Sequence, residues 1–379
     1  MIYLDNSATT RKKPISVINA VVQGLTKLSS NPGRSGHIAS LNLALEIGEV
    51  REKIQKFVGA SKPENIIFTQ NCTDALNLAI LGSVKQGGHV ITTSFEHNST
   101  LRPLFELEKK GIIELTIAEP RNTYEITRDD IEPHIRENTY LIATVHISNV
   151  DGATTDVELI GKLCKEKGIL YLVDSAQSAG HQCINMQEQN ISLLAIAGHK
   201  GLLGPQGVGV LAIAEDVKLE PIRYGGTGTD STNTYQPNEM PECFESGTIA
   251  SPNILGLGAG IDFIARNEKL INSRIKKLTR KLIMDLSDIP KIKLYTDPRN
   301  LHGVVGFNIT DIDSTIVSEF LNENYRICVR SGLHCAPLKH RHMKTLEQGI
   351  IRTSISYFNT EDEINKLIFA IKEFVNKYL

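Results

Sequence analysis

The sequence predicts an α/β fold: a large domain built on a mostly parallel sheet, then a smaller α/β domain. Three observations predict it. From Ile66 onward, short apolar runs alternate with amphipathic helical stretches, the pattern of strand–helix–strand units. Leu141-Ile-Ala-Thr-Val-His146 and Leu193 to Ile196 are nearly continuous apolar runs, as strands covered on both faces require. The chain has 379 residues, more than one ordinary core, which suggests two domains.

The elements follow in order. Residues 1–12 form a polar arm whose Asp5-Asn-Ser-Ala-Thr-Thr10 is turn-forming and is placed near the site rather than in the core. Pro14 to Lys27 reads as a first helix, with Val17, Ile18, Val21 and Leu25 at helical spacing and a proline at its start. Asn31-Pro-Gly-Arg-Ser-Gly36 is a loop, and Ile38 to Val58 a long amphipathic helix. Strands are expected at 66–69, 89–93, 114–118, 141–146, 171–173, 193–196 and 208–213, with helices at 74–85, 101–110 and 156–167 between them. Residues 221–252 lack periodicity and read as a long irregular segment of the kind that serves a site. Ile254 to Leu286 is a long helical pattern bridging to a second domain. That domain has strands at 292–295, 304–309 and 350–354, a helix at 314–322 and a terminal helix at 360–378. The expected domains are therefore 13–253 and 254–379, with arm 1–12 packing near the smaller one.

Composition narrows the function classes. With 41 basic and 43 acidic residues the net charge is −2, so no broad electrostatic case exists for nucleic-acid or membrane partners. No apolar run reaches membrane-spanning length, and Met1-Ile-Tyr-Leu-Asp5 has no signal-peptide pattern. The six cysteines contain no C-x-x-C pair and read as reduced thiols of a cytoplasmic protein, with no metal site.

Chemistry concentrates between residues 170 and 210. One apolar run ends in Asp174, and a second is followed by His199-Lys200 and a glycine-rich turn. A carboxylate at one strand end and a lysine 26 residues later suit pyridoxal 5'-phosphate (PLP). The lysine amine forms the Schiff base, and the carboxylate keeps the ring nitrogen protonated so that the ring draws electrons. Thr69-Gln-Asn-Cys-Thr-Asp-Ala75 joins a strand to a helix start, an anion site in its own right; capping of that helix by Thr73 is the plainer reading.

Asp174-x-x-Gln177 followed by Gly198-His-Lys200-x-x-x-Gly-Pro-x-Gly-x-Gly209 resembles the class V aminotransferases, in their cysteine desulfurase and selenocysteine lyase branch. The likeness runs from Tyr3-Leu-Asp-Asn-Ser-Ala-Thr-Thr10 to Arg352-Thr-Ser-Ile-Ser-Tyr-Phe-Asn-Thr360. It implies the PLP-dependent transferase fold type I and a homodimer. By resemblance, Cys72, Thr73 and His199 hold the cofactor phosphate, with Thr248 reaching in from the neighbouring subunit. Ala197 stands where many relatives carry serine, which removes one hydroxyl contact. His97 stacks on the ring and relays protons, while Asn149 and Gln177 face the ring oxygen. Arg352 grips the substrate carboxylate, with Asn31, Arg34 and Arg330 lining the mouth.

Arg330-Ser-Gly-Leu-His-Cys335-Ala resembles the short-loop desulfurases. There the cysteine is a thiolate on a mobile loop, and Arg330 and His334 are expected to favour its charge. The implied activity takes sulfur from L-cysteine, leaves L-alanine and carries a persulfide on Cys335 to an acceptor protein or small thiol, with iron–sulfur cluster assembly the commonest destination. Selenocysteine lyase, another class V lyase or transaminase, and a non-catalytic sulfur-delivery scaffold are the alternatives.

Overall fold

The structure is a computed structural model that describes residues 1–33, 36–229 and 232–379. Its centre is a seven-stranded sheet: β1 (Ile66–Thr69), β2 (Gly88–Thr93), β3 (Ile113–Ala118), β4 (Thr139–Val145), β5 (Leu170–Asp174), β6 (Leu193–Ala197) and β7 (Gly209–Ile213). The spatial order is β1-β7-β6-β5-β4-β2-β3. All neighbours are parallel except β7, which runs antiparallel to both β1 and β6. The C-terminal ends of β1, β2, β4, β5 and β6 therefore share one edge, where open α/β sheets place their ligands.

The helices follow from sequence with small shifts at their ends. Helix α1 (Ile15–Thr26) buries Val17 and Gly24. A Cβ on Gly24 would come within 2.7 Å of Pro252, so glycine lets this helix lie against the long bridging helix. Ile18 and Leu25, which share the helical spacing, face outward instead with Ile15 and Val22. Helix α2 (Ile38–Val58) ends on Gly59 at φ 64°, the left-handed cap that glycine favours. Helix α3 (Cys72–Gly82) starts two residues before its expected position because Asn71 caps it, accepting from Asp74 N at 3.0 Å. Helices α4 (Asn98–Lys109) and α5 (Val157–Lys167) complete the layers around the sheet.

Residues 221–250 contain no helix or strand among those described. The segment is tied down at Glu245, which pairs with Arg51 at 2.9 Å and accepts from Phe68 N at 2.7 Å. Helix α6 (Ser251–Ser287) then runs for 37 residues. Its Ile254, Leu257, Ile261, Ile264, Ile271 and Ile275 join the core of the large sheet, and its Leu278, Leu282, Ile283 and Leu286 join a second core. That second core covers a three-stranded antiparallel sheet, β8 (Ile292–Leu294), β9 (Val304–Ile309) and β10 (Ile351–Ser354), together with α7 (Ser314–Tyr325) and α9 (Glu361–Tyr378). Helix α8 (Pro337–His342) lies between α7 and β10 in the chain.

Two features escape a reading of periodicity. Ile2–Tyr3 pairs in parallel with Ile327–Cys328, so Leu4 is fully buried in the second core. The short strands Glu125–Ile126 and Thr154–Thr155 also pair. Two-residue strands carry no detectable alternation.

Candidate active site

Five strand ends deliver one cleft of about 500 Å³, lined by residues that include Cys72, Thr73, His97, Asn149, Asp174, Gln177, His199 and Lys200. Cys72 and Thr73 open α3 after β1, His97 caps α4 after β2, and Asn149 follows β4. Asp174 ends β5, while His199 and Lys200 follow β6. Gly209, at the start of β7, admits the Asn71 backbone: a Cβ there would lie 2.4 Å from it.

Asp174 is 3% exposed. Burial pushes its carboxyl up from the ordinary range, and it accepts from Ala176 N at 2.9 Å and from the Cys72 thiol at 3.6 Å. Burial likewise pushes the Cys72 thiol well up, so it stays protonated and donates. Its sulfur is thus turned to Asp174, which leaves Cys72 its backbone N–H for a phosphate. Thr73, freed of the capping role by Asn71, meets Ser99 Oγ at 2.8 Å. Burial lowers the Lys200 amine, so a neutral nucleophile is accessible closer to neutrality.

His97 Nδ1 accepts from Ser99 N at 3.1 Å, which places the ring proton on Nε2. Burial, then the nearby Lys200 and Arg330 charges, hold it neutral, pushed down to about 4. His199 is pushed to about 4 in the same way, and its Nδ1 meets Thr9 Oγ1 at 3.0 Å. Gln177 Nε2 donates to Ser7 O at 3.0 Å.

Arg352 is 1% exposed. Its Nη1 donates to Asn149 O at 3.0 Å, its Nη2 pairs with Asp5, and its Nε has no partner among the described residues. Asn149 Nδ2 donates to His334 O at 2.8 Å, and its buried Oδ1 has no partner among the described residues.

Cys335 is exposed on a loop in which Gly332, His334 and Cys335 itself have φ of 93°, 52° and 58°. Its carbonyl accepts from Asn98 N at 2.7 Å, which seats the loop beside His97 at the rim of the cleft. Arg330 Nη2 is 3.8 Å from the sulfur. The expectation that His334 adds positive charge is overturned. Its ring is buried beside Arg352, His340 and Arg330 and is pushed down to about 2, so it stays neutral, and among the described residues Arg330 is the cation bonded to the sulfur. Cys328 is half-buried in the strand that pairs with Ile2–Tyr3.

Two expected residues lie elsewhere in the single chain. Asn31 lines a different cavity with Arg51, Glu245 and Gly247, and Thr248 is exposed beside that cavity. Arg34 lies outside the described residues.

The cleft fits PLP on its own chemistry. Among the described residues no cationic side chain is bonded to the buried Asp174 carboxylate, which suits a ring N–H, and a buried lysine faces the same space. The backbone N–H groups of a helix start await a phosphate. The class-V aminotransferase family model matches residues 2–367. The chain belongs to the class-V aminotransferases. It is 36% identical to a probable cysteine desulfurase of Methanothermobacter thermautotrophicus, covering 98% of this chain and 94% of that protein. It is 35% identical to a probable cysteine desulfurase of Pyrococcus abyssi over 99% and 94%. The apo structure of a cysteine desulfurase from Thermococcus onnurineus NA1 superposes with a TM-score of 0.92 at 33% identity, covering 99% and 94%. The chain is a PLP-dependent enzyme of that kind, on fold type I.

The sequence placed the N-terminal arm near the site but assigned no role to its individual residues. Asp5 touches Arg352, Ser7 holds Gln177, Thr9 meets His199, and Thr10 Oγ1 donates to Lys200 O at 2.9 Å. Lys13 Nζ donates to His199 O at 2.8 Å. The signal was the run of small polar residues from Asp5 to Thr10, too short to show periodicity.

Proposed function

We propose that the enzyme removes sulfur from L-cysteine, leaves L-alanine and carries the sulfur as a persulfide on Cys335. The observation that carries this reading is the placement of Cys335: exposed, on left-handed backbone, and fastened through Asn98 to the rim of the cleft that holds Lys200. Transamination needs no such thiol.

Lys200 Nζ would hold the cofactor, Asp174 would pair with its ring nitrogen, and His97 would lie against its ring. The backbone N–H groups of Cys72 and Thr73, with the Thr73 hydroxyl and His199, would hold the phosphate, while Asn149 and Gln177 would serve the ring oxygen. When bound, PLP supplies an electron sink. The substrate carboxylate meets Arg352, with Arg330 at the mouth. Lys200, free for proton transfer once the substrate is bound, would take the α-proton and return it to Cα in the product. The Cys335 thiolate attacks the substrate sulfur, so an S–S bond forms as the Cβ–S bond breaks. The electron pair of that bond stays on Cβ, which is protonated to the methyl of L-alanine. His97, neutral with its proton on Nε2, is placed to move a proton at the substrate sulfur. The persulfide then passes to an acceptor thiol.

The chain works as a homodimer in this reading. Ile15, Ile18, Val22 and Leu25 of α1 and Ile38, Leu41 and Leu45 of α2 form exposed apolar stripes at helical spacing. Thr248 and Asn31, absent from the cleft of their own chain, then belong to the site of the other. Light scattering of the purified protein checks this, and a monomer with full activity refutes it. The division into domains 13–253 and 254–379 is likewise a proposal, with α6 as the bridge.

The test is alanine release from L-cysteine with reductant, for wild type and Cys335→Ala, alongside the absorbance of bound PLP. The expected result is normal PLP binding in both, with alanine and sulfide from wild type alone. Full turnover of L-cysteine by Cys335→Ala would overturn the persulfide step.

A further inference from the structure

The Arg352 guanidinium is a charge almost wholly removed from water, and a buried charge without a counter-charge is strongly disfavoured. A substrate carboxylate would neutralise it, but only while bound. Among the described residues, one carboxylate pairs with Arg352 in the free enzyme, and it comes from the far end of the sequence: Asp5.

This contact is built rather than incidental. Leu4, next to Asp5, is fully buried in the second core. Leu4 N donates to Cys328 O at 2.9 Å, and Ser354 N donates to Leu4 O at 2.6 Å. On the other side, Asn6 Nδ2 donates to Ser354 O and Ser7 N to Ser354 Oγ, both at 2.8 Å. The backbone of Asp5 is thus fixed against β10, the strand that carries Arg352, and the pair escapes the mobility that makes surface ion pairs weak.

We propose that Asp5 is a positioning residue for substrate recognition, holding the Arg352 guanidinium in the plane that receives the substrate carboxylate. This rests on the functional reading above and names a residue in it. A guanidinium has five N–H donors. Asn149 O takes one on Nη1 and Asp5 takes one on Nη2, which fixes the plane at two corners. Among the described residues no further partner takes the Nε–H or the second hydrogen on each Nη, which suit a second carboxylate. The same arm continues to Gln177, His199 and Lys200, so one segment sets the carboxylate-binding arginine relative to the cofactor-binding residues.

The test uses PLP-loaded enzyme with Asp5→Asn and Asp5→Glu. Asn keeps the shape and removes the charge; Glu keeps the charge. L-Alanine and L-alaninamide are titrated against the absorbance of bound PLP, and KM and kcat are measured with L-cysteine. A charge-assisted hydrogen bond to a buried partner predicts about a tenfold rise in half-saturating L-alanine and in KM for Asp5→Asn. The expected kcat stays within about twofold by the rule for lost binding that is uniform between ground and transition states. L-Alaninamide, which has no carboxylate, is unaffected, and Asp5→Glu recovers part of the loss. An unchanged or lowered KM in Asp5→Asn overturns the proposal, as does equal weakening of L-alaninamide. Wild type that holds no PLP would sink the functional reading itself, and this proposal with it.

Discussion

Lys339 is the perturbation with the clearest consequence for the persulfide step. It sits in α8, four residues after Cys335, with its side chain fully buried. Its Nζ lies 2.9 Å from Asp151 Oδ2, also fully buried, donates to Thr123 O at 2.8 Å and rests 3.3 Å from the centre of the Phe95 ring. Asp151 is two residues past Asn149, so this ion pair fastens the segment after the reactive cysteine to the loop that carries a cleft residue. Lys339→Met keeps the stem and removes the charge. Asp151 is then left with the Ala153 N–H at 3.1 Å as its side-chain bond, and Thr123 O loses its side-chain donor. Breaking one half of a buried pair costs about 3–5 kcal/mol. Lys339→Met/Asp151→Leu leaves no orphaned charge and is expected to recover about 2 kcal/mol or more. Urea unfolding of four proteins, wild type, Lys339→Met, Asp151→Leu and the double variant, measures both quantities. L-cysteine turnover should fall in Lys339→Met while bound PLP absorbance persists, because α8 and not the cofactor cleft is loosened. The reasoning fails if Lys339→Met costs less than about 1 kcal/mol, or if the double variant merely adds the two single losses.

Other outcomes follow from the same geometry. Cys72→Ala removes the thiol that donates to Asp174, an effect of about 1 kcal/mol on the ionised carboxylate. PLP is then expected to leave faster on dialysis, followed by absorbance, while Cys72→Ser retains it; equal retention by the alanine variant would remove Cys72 from this role. The pH dependence of stability is set by buried imidazoles. Burial pushes His97, His146, His181, His199, His302 and His340 to about 4 and His334 to about 2. The unfolded chain protonates near the ordinary value of 6.5 while the folded chain does not, so unfolding takes up protons and stability falls as pH drops from about 6.5 toward 4. Glu96, raised to about 8 by burial, and Asp174, also raised, act in the opposite sense but are outnumbered. A urea midpoint that stays flat between pH 6.5 and 4 would contradict this.

Much of the site was legible because each residue follows the end of a strand whose apolar run is itself visible. Asp174, Lys200, His97 and Asn149 were placed in this way, and the parallel sheet brings their strand ends to one edge. What the sequence hid depends on contacts between distant segments. The neutral state of His334 could not be read from its neighbours in the chain, since adjacency to Arg330 suggests charge while burial decides against it. The bond from Cys72 to Asp174 spans 102 positions, and the pair of Asp5 with Arg352 spans 347. The outward turn of Ile18 and Leu25 was equally hidden, because helical spacing gives a stripe but not the side on which a partner lies.

Helix α6 carries a mechanical consequence. At 1.5 Å per residue its 37 residues make a rod of about 55 Å, with one end embedded in each core. A jaw that opened between the two cores would have to flex that beam along packed isoleucines and leucines. The cheaper travel belongs to the short span around Cys335, which hangs from Gly332 at one end and α8 at the other. If Cys335 carries sulfur as proposed, the travel this needs is confined to that span, and the frame formed by the two cores can stay in place.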